Sequence, residues 1–235
     1  MLFTLLTAAT VMSQKQLYIG AGGTGLSTWI TNQNNYGLFE MDYAMTFGLG
    51  GNFNIGYDFT KNIGLKLEVG YTKLGQNYKD NINDTAYIRH IRLDYIQIPL
   101  LFKFKTNGEV ARFYLLVGPQ FGLLLNAKQT YLKNDEPWEK NIKDLKENTY
   151  KISEETITNR FTSFDIFARL DLGVDITLVQ NLILNAGISL NYGLTDINAT
   201  DWRIKNNSGE YKASHNIYGG FNVGLCYVFD FGKNK

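Results

Sequence analysis

The chain has 235 residues, 23 basic against 22 acidic side chains and a formal charge of +1, which leaves no surplus of Lys and Arg for a broad phosphate-binding surface and excludes nucleic acid as the main partner. The single cysteine, Cys226, excludes an intrachain disulfide framework and a Cys-rich zinc site. Abundant Gly, Tyr and Phe beside only 3 Pro suit strands that curve and pack closely.

Residues 1–12 (MLFTLLTAATVM) are apolar and uncharged, and Val11-Met12-Ser13 supplies small side chains before Gln14. Residues 1–13 therefore read as the hydrophobic region and cleavage site of a secretory signal peptide. The positively charged start of such a signal is missing, so the signal reads as truncated. Residues 14–235 read as one domain. No stretch of 18 apolar residues follows, so no transmembrane helix is expected.

From residue 17 the chain alternates with a period of two. The first segment, 17–28, is Gly-rich. The second, 46–59, sets Phe47, Leu49, Phe53, Ile55, Tyr57 and Phe59 against Gly48, Gly50, Asn52, Asn54, Gly56 and Asp58. The third, 63–74, sets Ile63, Leu65, Leu67, Val69 and Tyr71 against Lys66, Glu68, Gly70 and Thr72. In the fourth, Ile96, Ile98, Leu100, Phe102 and Phe104 oppose Tyr95, Gln97, Leu101 and Lys103. The fifth, 113–128, sets Leu115, Val117, Phe121, Leu123 and Leu125 against Gly118, Gln120, Gly122 and Asn126. The sixth, 164–178, alternates most clearly, with Leu170, Leu172, Val174 and Ile176 against Arg169, Asp171, Gly173 and Asp175. The seventh opposes Leu182, Leu184, Ile188 and Leu190 to Asn185, Gly187, Ser189 and Asn191. The eighth opposes Ile217, Phe221, Val223, Leu225, Tyr227, Phe229 and Phe231 to Asn216, Gly220, Asn222, Gly224 and Asp230. A one-residue slip exchanges the faces of a strand, so this agreement is not a chance pattern.

Short turns at 60–62, 105–109 and 179–181 alternate with long polar connections at 29–44, 75–87, 130–163 and 193–213. That arrangement predicts an all-β fold, an eight-stranded antiparallel up-and-down transmembrane β-barrel with short periplasmic turns and long extracellular loops. A soluble lipocalin-like barrel has the inverse sidedness, with an apolar interior. The small polar face (Gly, Asn, Ser, Thr), the continuous apolar face, and aromatic residues gathered near the short turns favour the membrane form. The expected location is the cell outer membrane, in contact with its lipid.

Four stretches carry a family resemblance: DYIQIPLLFK (94–103), GPQFGLLLNAK (118–128), FDIFARLDLGV (164–174) and LNYGLTDI (190–197). They resemble the outer-membrane β-barrel domain family of Gram-negative bacteria labelled PorT-like or porin family, over about residues 17–231. The resemblance implies a fold and supplies no catalytic residues.

Within the expected lumen lie Asp58, Lys66, Glu68, Lys103, Arg169, Asp171 and Asp175. Removed from bulk water, such charges require partners. They are expected to form a structural salt-bridge plug, because eight strands leave an interior only wide enough for side chains; a lined ion path is the alternative. GAGGTG (20–25) falls inside a strand instead of a strand-to-helix turn and is read as a Gly-rich kink. His90 and His215 fall on strands across the barrel from each other, so no enzyme site, metal or cofactor is expected. Cys226 is read as a small lumen filler. The 130–163 connection contains DEPW and EKNIKDLKEN, which predict a helix start at Pro137 and a short helix bearing Ile142 and Leu145. It and the 193–213 loop are the expected places for a protein or surface ligand. The functional expectation is a structural or surface-interaction barrel; a narrow channel, a lipid-modifying enzyme and a secreted binder are the alternatives.

Overall fold

The computed structural model describes residues 15–32, 41–143, 149–205 and 209–230. The expected signal peptide, Phe231, and Leu145 of the expected helix lie outside the described residues. The eight barrel strands are β1 (Gln16–Thr31), β2 (Phe47–Asp58), β3 (Ile63–Ile82), β4 (Thr85–Lys105), β5 (Ala111–Lys133), β6 (Phe164–Val179), β7 (Leu182–Gly193) and β8 (His215–Asp230). Each pairs antiparallel with its neighbours in sequence, and β8 returns to β1 with Gln16 opposite Asp230 and Thr31 opposite His215. The ring is closed. Closure gives the backbone amides and carbonyls of every strand a partner on both sides, which a sheet surrounded by hydrocarbon requires.

The alternating residues sort as the period of two dictates. Phe53 is 76 % exposed, Phe221 75 % and Phe113 69 %, while Asn54, Glu68, Gln97, Gln120, Asp171 and Asn216 are buried inside the ring. Aromatic side chains cluster outward near the short turns. Tyr57 meets Phe59 and Tyr227 meets Phe229 edge-on, at centroid distances of 5.3 and 4.9 Å. An apolar outside around a polar inside is the sidedness of a membrane barrel. Among the described residues no helix is long and apolar enough to cross a membrane, so any crossing is made by strands.

Four expectations need correction. The 75–87 connection is not a loop: β3 runs to Ile82 and β4 starts at Thr85, joined at Asn83-Asp84. Both turn residues have positive φ, 49° and 60°, which Asn and Asp tolerate best after Gly and which a two-residue hairpin demands. The 130–163 connection is also shorter, since β5 continues to Lys133 and turns at Asn134-Asp135, again with positive φ. No helix starts at Pro137. Glu136–Pro137 pairs back onto Leu132 and Lys133, and Lys140–Lys143 forms a hairpin with Thr149–Ile152. The β-favouring Thr149, Tyr150 and Ile152 pair with the stretch that local spacing had marked as helical. Finally, Asn126 is not on the lumen face. Register slips by one residue between Asp94–Asn126 and Tyr95–Leu124. This bulge at Leu125 reverses the faces of β5 beyond it, so Ala127, Gln129 and Tyr131 are the buried residues there.

Replacing Phe53, mid-strand on the outward face, by Arg should lower barrel stability by about 2–4 kcal/mol, the cost of a cation near the bilayer midplane. The midpoint of heat-induced gel-mobility shift in lipid would report it; an unchanged midpoint would mean that Phe53 does not face hydrocarbon.

Candidate functional site

The lumen is filled in layers. Nearest the short turns, Lys105 pairs with Asp58, both buried. Next, Lys103 Nζ lies 2.6 Å from Asp175 Oδ2, whose other oxygen accepts from the Asn185 amide at 2.5 Å. The same ammonium stands 4.7 Å over the Tyr18 ring. Gly56 is required here: a Cβ would sit 2.0 Å from Tyr18 Cζ, so only glycine lets the ring lie flat against β2. At mid-depth a connected set forms. Lys66 Nζ is 2.7 Å from Glu68 Oε1, Arg169 Nη1 is 2.9 Å from Glu68 Oε2, and Arg169 Nη2 is 2.7 Å from Asp171 Oδ2. Arg169 Nε also donates to Asp171, making the fork bidentate.

The residues singled out from the sequence thus lie in ion pairs inside the barrel: Asp58, Lys66, Glu68, Lys103, Arg169, Asp171 and Asp175. Lys105 was missed. It lies at the strand end that the sequence reading assigned to a turn, yet it neutralises Asp58. With it the cations Lys66, Lys103, Lys105 and Arg169 balance Asp58, Glu68, Asp171 and Asp175.

Above the ions lies a layer of amides and aromatic rings, with one further buried carboxylate, Asp165, accepting from Thr195 and Asn216. Arg169 Nη1 donates to Gln120 Oε1 at 3.2 Å, the Gln120 amide bonds Tyr218, and the Tyr218 hydroxyl donates to Gln97 Oε1 at 2.9 Å. Tyr95, Phe167 and Tyr218 then pack edge to face. Beyond them the lumen turns apolar, which the sequence reading did not foresee. Leu26, Ile30, Leu74, Ile91, Leu93, Leu124 and Ala127 are buried together, covered by Ile157, Phe161 and Ile197 from the loops. Cavities along the polar half measure about 30, 30 and 10 Å³, space for isolated waters and not for a continuous water column. Near the outer mouth, Arg89 is buried with its guanidinium 4.2 Å over the Tyr78 ring, and none of its nitrogens is hydrogen-bonded.

The other candidates stand apart. GAGGTG lies within β1. Cys226 is buried on the lumen side, its Sγ 2.9 Å from Asn185 Oδ1. His90 sits on β4, with Nδ1 2.6 Å from Asn77 Oδ1; burial and then the Arg92 charge hold its pKa below the ordinary range. His215 sits on β8, four strands away around the ring, stacked on Tyr192 at 5.9 Å. No ion pair or hydrogen bond joins either ring to a carboxylate among the described residues, and no group of His, Cys, Asp and Glu there has metal-binding spacing.

The 193–213 loop is ordered by its own side chains where described. Asp196 accepts from the Tyr211 hydroxyl at 2.6 Å, from the Ser214 amide at 3.1 Å and from Arg203 at 3.0 Å. Burial, and then the bond to Asp196, push the Tyr211 pKa up to about 12. Protonated Tyr211 therefore favours the folded loop below its ordinary pKa of 10.0, and this contribution is lost as pH rises through about 12.

A closed eight-stranded ring, apolar outside and charge-balanced within, defines an integral outer-membrane β-barrel. The sequence agrees: residues 12–199 match the family described as "Outer membrane protein beta-barrel domain". The chain belongs to that family and is a protein of the outer membrane. A comparison with curated proteins finds no match. Among solved structures it is similar to Neisserial surface protein A, at 14 % identity and TM-score 0.46, over 91 % of this chain and 97 % of that one. It is also similar to Ail, the attachment invasion locus protein of Yersinia pestis, solved with the heparin analogue sucrose octasulfate (13 %, 0.44, 92 % and 99 %). OprG from Pseudomonas aeruginosa is a third (11 %, 0.42, 93 % and 97 %).

Arg169 holds the mid-lumen together, so Arg169→Met should cost about 3–5 kcal/mol by leaving buried carboxylates unpaired. Combining it with Asp171→Asn should recover part of that loss in the same heat-modifiability assay. A double variant as unstable as the single one would show that charge pairing is not what Arg169 supplies.

Proposed function

We propose that this outer-membrane barrel is a sealed structural element that presents its outer rim at the cell surface, without enzymatic activity. The observation that carries this reading is the double closure of the lumen: balanced ion pairs towards the periplasm and a packed apolar layer beneath the outer mouth. An ion crossing such a path must displace Arg169 from its carboxylates and then enter a packed layer of Leu and Ile whose few polar side chains, such as Gln76 and Gln129, are already hydrogen-bonded within the protein. Among the described residues the cavities found along the polar half of the lumen, of about 30, 30 and 10 Å³, give the alternative of a narrow channel no support. A non-enzymatic role is supported by the separation of His90 from His215 and by the absence, among the described residues, of a hydrogen bond or ion pair from either ring to a carboxylate.

The surface role rests on what extends beyond the membrane. Strands β3, β4 and β5 continue past the lipid-facing rows, and the 134–163 connection adds the hairpin of Lys140–Lys143 and Thr149–Ile152. Trp138 packs edge-on against Tyr87 at 5.0 Å, fixing the root of that connection on β4. We further place the chain nearest the PorT-like group within its family, on DYIQIPLLFK and FDIFARLDLGV.

Purified protein in a planar bilayer should give no steady conductance. Sustained, sizeable current would refute the sealed lumen and replace this reading with a channel.

A further inference from the structure

The outward face of the barrel changes character abruptly on β3, β4 and β5. Tyr71, Ile96 and Leu123 form the last apolar row, in direct register. One row further out Lys73 faces Asp94, which in turn faces Asn126. The next row is Gly75, Arg92 and Lys128. Three cations thus surround one carboxylate immediately beyond the apolar belt, on rigid strands and not on a loop.

The local anions do not neutralise them. Asp94 is engaged by the Tyr71 hydroxyl at 2.6 Å and more distantly by the Asn126 amide at 3.5 Å. Lys128 pairs with Glu154 at 2.8 Å, but both side chains are about half exposed, so the pair is exchangeable. Among the described residues Arg92 donates only to Asn77, which occupies one arm of its guanidinium fork. Lys73 is exposed and has no hydrogen bond or ion pair with any described residue. His90 lies one row beyond Arg92, opposite Asn77, and Lys79 one row further, opposite Ile88 on one side and Asp42 on the other.

The cluster is one-sided. Across the barrel the rows that follow Trp29, Ile217 and Tyr192 carry Thr31, His215 and Leu194, without a Lys or Arg.

We propose that Lys73 and Arg92, with Lys128 released from Glu154, bind the phosphate group of an outer-leaflet lipid headgroup. The proposal rests on the outer-membrane reading, which sets the height: a side chain just outside the last apolar row stands at headgroup level. It also rests on charge complementarity. A guanidinium fork beside an unpaired ammonium matches a phosphate's geometry and charge, and basic side chains near a membrane surface draw anionic headgroups to them. The lipid's acyl chains would then run along Tyr71, Val69 and Leu67, which are exposed on the same face.

The test uses the full chain purified in micelles and native mass spectrometry of added lipid. The probes are a phosphorylated lipid A and the same lipid after removal of its phosphates. Wild-type protein should retain the phosphorylated form about thirtyfold more, what two charge contacts with the headgroup supply. The Lys73→Gln/Arg92→Gln double variant, still heat-modifiable, should retain both lipids alike, while Lys61→Gln in a short periplasmic turn should behave as wild type. Equal retention of the two lipids by wild type, or undiminished preference in the folded double variant, would overturn the proposal. A chain that binds neither lipid and needs no detergent would instead contradict the membrane assignment itself.

Discussion

A strand surrounded by hydrocarbon must hide its backbone in hydrogen bonds and turn apolar side chains outward, and everything else in this molecule follows from that constraint. Closing β8 onto β1 satisfies the backbone. Period-two alternation then forces every second residue into a lumen only a few side chains wide. Those inward residues form the protein's core, and being polar they must find partners among themselves. Lys103 with Asp175, Lys105 with Asp58 and the Lys66–Glu68–Arg169–Asp171 chain are the solution. Small residues complete it, as where Gly56 makes room for Tyr18 beneath the Lys103 ammonium.

The lumen has two characters because its two ends meet different surroundings. Towards the short turns the strands end at the membrane, and the core is ionic. Towards the outer surface β3, β4 and β5 rise above the lipid, where water reaches the outside of the sheet. There the core becomes apolar inside, with Leu74, Ile91 and Leu93 under Ile157 and Phe161, while Lys73, Asn77, His90 and Arg92 face outward. The projecting sheet has the sidedness of a soluble protein, inverted from the barrel below it.

That inversion explains what the sequence disclosed and what it hid. Within the lipid zone the alternation of β6, from Phe164 to Val179, is unmistakable, and the lumen ionisable residues could be named from it. Above that zone residues 75–82 are polar on both faces apart from Tyr78 and Ile82, so the lipid-facing signal vanishes though the strand continues. The Asn-Asp pairs at 83–84 and 134–135 were the available sign of tight hairpins, since both residues accept positive φ. The bulge at Leu125 had no such sign, because only pairing across β4 fixes the register there. Similarly, local spacing cannot reveal that Lys140–Lys143 finds strand partners instead of a helix, since the pairing comes from Thr149–Ile152. Lys105 was hidden by its place at a strand end, where a lysine ordinarily belongs to a solvated turn.

The claim on which all of this depends is that the Leu, Ile and Phe side of the strands lies against lipid. Spin labels at Phe53→Cys and Phe221→Cys, in a Cys226→Ser background reconstituted in bilayers, address it directly. Collision with oxygen, which dissolves in hydrocarbon, should relax both labels strongly, and a water-soluble nickel chelate should scarcely reach them. Ready relaxation by the chelate at both positions, in protein that remains folded, would contradict the account.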